Sequence, residues 1–220
     1  MKIIAHIETK YKEKFGIPRQ SGVAGESVGR IVFTPEYRNP DAVRGLADYS
    51  HLWLIWEFSE AKRDAWSPTV RPPRLGGNRR MGVFATRSPY RPNPIGLSSV
   101  KLLSVKQEAD GPVIYVLGAD LLDGTPIYDI KPYLAYADSH PDAVGGFSDG
   151  VRDYALEVEI PDGIMAQIPP EDYSSLLTVL AHDPRPSYQD DPERTYFLKY
   201  GEKEYAFHVA DNLLTVTEVR

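Results

Sequence analysis

At 220 residues, 42% of them hydrophobic and 25% charged, the chain has the composition of an ordinary globular protein with enough apolar material for a sizeable core. It has no cysteine, which excludes disulfides, thiolate metal sites and cysteine nucleophiles together, and no run approaches the roughly 20 apolar residues of a membrane span, so the cytoplasm is the expected compartment. The net charge of -6 is unevenly spread: residues 65–107 contain no Asp or Glu while Arg71, Arg74, Arg79, Arg80, Arg87, Arg91, Lys101 and Lys106 give +8, leaving -14 on the remainder.

Residues 2–9 alternate crudely and predict a strand, and 30–35 predict another. The long glycine-bearing connection between them is of a length that is usually functional or disordered. Pro40 behind a capping Asn39, with Ala42, Val43, Leu46 and Ala47 following, predicts a short helix over 39–50. The run HLWLIWEF (51–58) reads as a central buried strand. After the basic segment, strands are predicted over 81–86, 97–107, 112–122 and 126–133, with EADG between the second and third of these and an Asp123-Gly124 hairpin between the last two. Six or seven short strands with few helices predict a closed or nearly closed β-barrel. An acidic, small-residue stretch at 135–150 reads as a linker, dividing a barrel domain (1–145) from a small C-terminal α+β domain (146–220). In the latter a strand is predicted over 152–160, a helix over 169–182, and a terminal group of strands in TYFLKY, YAFHVAD and LLTVTEV.

Several motifs fail their context tests. GESVG (25–29) matches a nucleophile elbow, but Ser27 follows a loop and precedes a strand, the reverse of the elbow's order. His6, His51, His140, His182 and His208 are scattered, whereas zinc sites show local pairs, so no metal is expected. No Gly-x-Gly-x-x-Gly follows a strand, and no Walker lysine follows the glycine pair at 76–77. What remains is the basic segment 69–96, where proline restricts the residues before it (Arg71, Ser88, Arg91 and Asn93) to extended backbone. Guanidinium groups on such a frame are preorganised for phosphate, carboxylate or a base edge. The plainer alternatives are a stiff strand connection with solvated arginines, or contacts to the surplus carboxylates across domains or subunits. The segment 120–134 is the second candidate: beyond its tight turn, alternation places Asp129, Lys131 and Tyr133 on one strand face, a general base beside a cation.

YKEKFGIPRQ (11–20), DAVRGLADYSHLWLIW (41–56), the basic segment through Ser98, DLLDGTPIYDIKPYLAYADS (120–139) and DPRPSY (183–188) occur in this order over nearly the whole chain. Together they resemble the family of S-adenosylmethionine-dependent tRNA adenosine-37 N6-methyltransferases built on a single β-barrel. The resemblance implies a homodimer that methylates threonylcarbamoyl-modified adenosine in the tRNA anticodon loop. Carried over by motif, it places the cofactor against Arg19, Gln20, Ser21, Gly22, Ser59, Glu60, Arg87, Leu97, Asp123, Gly124, Thr125 and Pro126. SGV at 21–23, where members often begin with proline, and the variable pair at 59–60 depart from the family pattern and point to backbone contacts there. Displacement at a sulfonium carbon needs alignment and desolvation and no metal. The amide-like N6 needs a base, which makes Asp129 the expected catalytic residue with Lys131 or Tyr133 orienting the substrate. Arg71, Arg74, Arg79, Arg80 and Arg91 are expected on RNA phosphate. A non-enzymatic RNA-binding barrel and a small-molecule methyltransferase are the competing readings.

Overall fold

The computed structural model describes residues 1–18, 20–22, 25, 27–61, 65–72, 79–151, 154–185 and 191–220. Its barrel strands are β1 (Ala5–Glu8), β2 (Val28–Phe33), β3 (His51–Glu57), β6 (Ile95–Glu108), β7 (Gly111–Leu117) and β8 (Thr125–Pro132), while the short β4 (Thr69–Val70) and β5 (Met81–Gly82) form a separate antiparallel ribbon. The six close on themselves in the order β1-β2-β7-β6-β3-β8 with every neighbour antiparallel. Period-two alternation fills the interior with Ala5, Ile7, Ile31, Leu52, Leu54, Val100, Ile114, Val116 and Ile127. The predicted barrel is therefore present with six strands, and within the EADG expected to separate two of them Ala109-Asp110 makes a tight turn between β6 and β7.

Several local expectations are corrected. The helix predicted over 39–50 is two 3-10 turns, Pro40–Val43 and Leu46–Asp48, separated by Gly45 at φ +81, a left-handed value that ends one turn before the next can join it. Asn39 does cap, accepting from the Asp41 N–H. Of the strand predicted over 81–86 only Met81–Gly82 pairs; the chain then tightens into a 3-10 turn, Val83–Ala85, that buries Val83 and turns Phe84 outward. Asp123-Gly124 is a bend but not a hairpin, since β7 pairs with β2 and β6, and β8 with β1 and β3. The bend is fixed elsewhere: Thr9 N–H donates to the Asp123 carboxylate at 2.8 Å and Gly124 N–H to the Ile7 carbonyl at 2.8 Å. The expected linker at 135–150 contains a helical turn, α1 (Ala135–Asp138), held by Asp138, which accepts from Leu134 N–H and the Trp53 indole. Of the strand predicted over 152–160 only β9 (Glu157–Glu159) pairs, and Arg152 and Asp153 lie outside the described residues.

Beyond β9 come α2 (Asp162–Met165), α3 (Pro170–Ala181), β10 (Tyr196–Tyr200), β11 (Lys203–Ala210) and β12 (Leu213–Val219). The strands form one sheet, β10-β11-β12-β9, with only the last pair parallel, and α3 buries Leu176, Val179 and Leu180 in a second core against it. Tyr11, from the connection after β1, belongs to that second core and bridges to Tyr200, while Lys10 carries an ion pair to Asp172 and its carbonyl accepts from Gly201 N–H. The C-terminal sheet is thereby fastened to the segment leading into the loop at 18–22.

Candidate functional site

Antiparallel pairing throughout puts the C-terminal ends of β1, β3 and β7 and the N-terminal ends of β2, β6 and β8 on the same rim of the barrel. The three connections that close this rim are residues 9–27, 58–94 and 118–124. These are the segments carrying most of the sequence motifs, so the fold gathers at one place what the chain separates by up to about 110 positions.

The connections are bonded to one another. Arg87 donates to the Gln20 side chain at 2.6 Å, joining the proline-braced stretch to the first loop. Lys14 reaches the Glu60 carbonyl at 3.2 Å and its carboxylate at 3.3 Å, drawing in the Ser59–Ala61 turn. Gly22 N–H donates to the Gly118 carbonyl at 2.9 Å, and these two backbones approach so closely that a Cβ on Gly118 would lie 3.1 Å from the Gly22 Cα. Both glycines have left-handed φ values, +81 and +74, which suits no other residue well.

At the centre of this contact stands Asp120, a residue the sequence did not single out. Its carboxylate accepts from the Ser98 hydroxyl at 2.5 Å, and Ser98 in turn accepts from the Trp56 indole at 2.9 Å. Burial pushes the Asp120 carboxyl above the usual carboxylate range, opposed by hydrogen bonds from Ser98, its own N–H and Ser21 N–H and by the charge of Arg87. A carboxylate, a guanidinium and close-approaching glycine backbone at one rim suit a ligand that carries both a cationic centre and a carboxylate, as S-adenosylmethionine does. The available signal for Ser98 was a hydroxyl at an inward position of an apolar strand; for Asp120 it was only its place at the head of a quoted motif.

The outer wall beside this rim holds the second group. Ile127 and Ile130 both face the interior, so Tyr128 and Asp129 between them form a bulge, seen as a register shift opposite Ile55 and Trp56. Without it Asp129 would point inward with Thr125 and Ile127; with it Asp129, Lys131 and Tyr133 face outward. Asp129 pairs with Lys131 at 2.7 Å, and Tyr133 packs on His51 and Trp53 with ring centroids 6.1 and 5.4 Å away. Ile55 lies between Asp129 and Leu97 in the ladder, two residues from the rim at Glu57, so both are about 7 Å in from it, whereas Tyr133 lies beyond the far end of β8. Beside the bulge the Tyr128 hydroxyl, largely through desolvation and also through its bond to Glu57, is pushed up to about 12.

The remaining expected residues sort as follows. Asp123 is engaged by Thr9 N–H and Lys12 Nζ (2.9 Å), Gly124 is exposed, and Thr125 and Pro126 are buried. Arg71, Arg79 and Arg80 are exposed, Arg80 also donating to Thr69 Oγ1 at 3.3 Å. Arg91 instead donates to the Thr86 carbonyl at 2.9 Å and weakly to that of Ser88, pinning its own proline corner. Ser27 is buried before β2, not presented on an elbow. Arg19, Arg74 and residues 186–188 of the DPRPSY corner lie outside the described residues.

Residues 6–139 match the model of the tRNA-methyltransferase O N-terminal domain, and residues 154–220 that of the TrmO C-terminal domain. The tRNA (adenine(37)-N6)-methyltransferase of Escherichia coli K12 is 43% identical over 201 residues, covering 88% of this chain and 86% of that protein. A putative S-adenosylmethionine-dependent methyltransferase RcsF of Pseudomonas aeruginosa is 38% identical over 213 residues, 93% of this chain and 90% of its own. The crystal structure of TrmO from Pseudomonas aeruginosa superposes with a TM-score of 0.76 at 32% identity, covering 99% of this chain and 97% of that one.

Proposed function

The chain belongs to the TrmO family, and from that membership we propose that it is an S-adenosylmethionine-dependent methyltransferase acting on N6 of adenosine 37 in tRNA, a cytoplasmic homodimer whose preferred nucleotide already bears a threonylcarbamoyl group. The observation that carries this reading is the convergence of the three motif-bearing connections on one barrel rim, with Gln20, Arg87, Asp120 and the Gly22–Gly118 contact side by side.

S-adenosylmethionine, when bound, supplies a methyl group activated by a sulfonium. Arg87 and Gln20 would hold its carboxylate, Asp120 would face its positive charge, and Gly22, Gly118 and Gly124 would let it lie close against the backbone. Trp56 and Ser98 hold the Asp120 carboxylate in one orientation, so little reorganisation accompanies binding. On the outer wall Asp129 takes the N6 proton, whose acidity the adjoining carbamoyl group raises, and Lys131, paired with the carboxylate, aims it. Exposed Arg71, Arg79 and Arg80 neutralise RNA phosphates. An outward Asp129 about 7 Å from the rim suits a target base that lies across the rim's edge. Ile55, Trp53, Ile95 and Leu97 line the same wall, with Ile95 and Leu97 exposed, which supports burial of part of it against a second protomer.

The test is nucleoside mass spectrometry after incubating the protein and labelled S-adenosylmethionine with tRNA that carries or lacks the threonylcarbamoyl group. Methyl incorporation on the carbamoylated nucleotide is expected, with a loss of at least about a hundredfold in Asp129→Asn. Equal methylation of both tRNAs would refute the substrate assignment, and unchanged turnover in Asp129→Asn would refute the base.

A further inference from the structure

The ribbon of β4 and β5 carries two large aromatic side chains on its outside. Trp66 is 53% exposed and Phe84 72%, and their rings lie roughly parallel, 27° apart with centroids 6.2 Å apart. The stem beneath them is ordered by its own bonds. Val83 N–H donates to the Pro68 carbonyl at 2.9 Å, Ser67 Oγ to that of Thr69 at 2.8 Å, and Thr86 Oγ1 to that of Val83 at 2.9 Å. Val83 takes the inward position of the 3-10 turn, at 1% exposure, so Phe84 is forced outward and Trp66 is laid beside it. Two rings of this size left in water forgo a large burial, which marks a surface that something covers. Exposed Arg71, Arg79 and Arg80 occupy the same ribbon, in the stretch that contains no carboxylate.

Rigid exposed aromatics interleaved with guanidinium groups are how proteins hold unstacked nucleobases on a single strand, the rings giving stacking and the cations tracking phosphate. We propose that Trp66 and Phe84 form a base-stacking platform that receives an unpaired nucleobase flanking the target adenosine, with Arg79 and Arg80 fixing the adjoining phosphates. The proposal rests on the RNA-methyltransferase reading for the identity of the strand, and it adds that this ribbon selects single-stranded over helical RNA. A methyl acceptor must leave its stack to reach the rim, and a neighbouring base captured on the platform would hold the loop open while it does.

Tryptophan emission tests this directly, since Trp66 is the exposed indole while Trp56 is buried and Trp53 bonded to Asp138. The full-length protein is titrated with a single-stranded heptaribonucleotide, a duplex of the same sequence and inorganic polyphosphate. The single strand is expected to quench emission, the duplex and polyphosphate to bind with little quenching, and the quench to vanish in Trp66→Leu. Phe84→Ala should weaken the single strand by about tenfold and leave polyphosphate affinity and the salt slope unchanged. Equal weakening of single strand and polyphosphate, absence of quenching, or a switch from dimer to monomer with RNA affinity intact would each overturn the platform, the last by assigning the rings to a subunit contact. Calorimetry with S-adenosylmethionine on the same variants separates the two readings: a wild-type protein that gives no heat defeats the methyltransferase assignment and leaves the stacking result standing.

Discussion

Gly96→Ala would place a methyl group where the Trp56 indole now lies. The two residues are opposed in the β3–β6 ladder, and a Cβ on Gly96 would meet Cε2, Cζ2 and Cδ2 of the ring at 2.2, 2.4 and 2.6 Å. Carbon atoms need about 3.5 Å, so the ring must withdraw by more than about 1 Å. It has little room: Trp56 is 6% exposed, sits in the barrel core and packs on Phe58 with centroids 4.3 Å apart. Overpacking of this kind costs about 1–3 kcal/mol. Withdrawal also breaks the indole bond to Ser98, for about 1 kcal/mol more. The sum, about 2–4 kcal/mol, corresponds to a fall in Tm of roughly 5–15 °C for a chain of this size. Because Ser98 orients Asp120, the variant should also bind S-adenosylmethionine more weakly. Thermal melts followed by circular dichroism, with calorimetry for the ligand, measure both. Gly82→Ala, whose new methyl would have nothing within 4 Å, is the matched control. Adding Trp56→Phe should recover part of the loss in the Gly96→Ala background. The reasoning is refuted if Gly96→Ala melts with the wild type, or if the double variant is no better than the single.

Arg91→Ala and Arg79→Ala should part company although both lie in one basic stretch. Arg91 holds two backbone carbonyls of its corner, so its loss should lower stability by about 2 kcal/mol in urea denaturation and leave the salt slope of RNA binding alone, whereas Arg79→Ala should melt normally and reduce that slope by about one. Asp183→Asn tests the start of the DPRPSY corner. Burial raises the Asp183 carboxyl, but bonds and charge from Arg185 outweigh it and hold the group below its ordinary value, with the pair's side chains only 13% and 9% exposed. The stability so gained is present above the ordinary carboxylate pKa and lost as pH falls through the depressed one; Asn, which tolerates the left-handed φ of 57, should therefore cost about 3 kcal/mol at pH 7 and less at an acid pH below that depressed value. An equal cost at both pH values in urea titrations would contradict the ion-pair account.

The barrel was legible because long stretches of its strands follow the period-two rule against one core, as in HLWLIWE, where Leu52, Leu54 and Trp56 turn inward. Turn chemistry was legible only where it is local. Ala109-Asp110 closes neighbours, within a stretch read as separating two strands; Asp123-Gly124 has the residues of a hairpin, yet Thr9, more than a hundred positions away, takes its carboxylate and the strands on either side diverge. The 39–50 segment failed for a related reason: Asn39 and Pro40 are good helix starters, but Gly45 follows within six residues, leaving less than two turns to propagate.

The site shows the same division between local and tertiary information. Gln20, Arg87 and the glycines belong to unusual stretches of sequence, and an unusual stretch can be noticed before its partner is known. Asp120, Ser98 and Trp56 are individually unremarkable: one acid after an alanine, one hydroxyl in a strand, one indole in an apolar run. They become a unit only because barrel closure opposes β3 to β6 and brings the β7–β8 connection over that edge. The outward aim of Asp129 is equally a product of closure. Strict alternation from the buried Thr125 would have turned Asp129 into the core, where an unpaired carboxylate is costly, and the extra residue Tyr128 is what reverses it. Deleting Tyr128 should therefore leave everything from Asp129 to Pro132 on its present face, since Ile127 would be followed directly by an outward Asp129 and an inward Ile130 opposite Ile55 and Leu54, and should do no more than straighten the ladder.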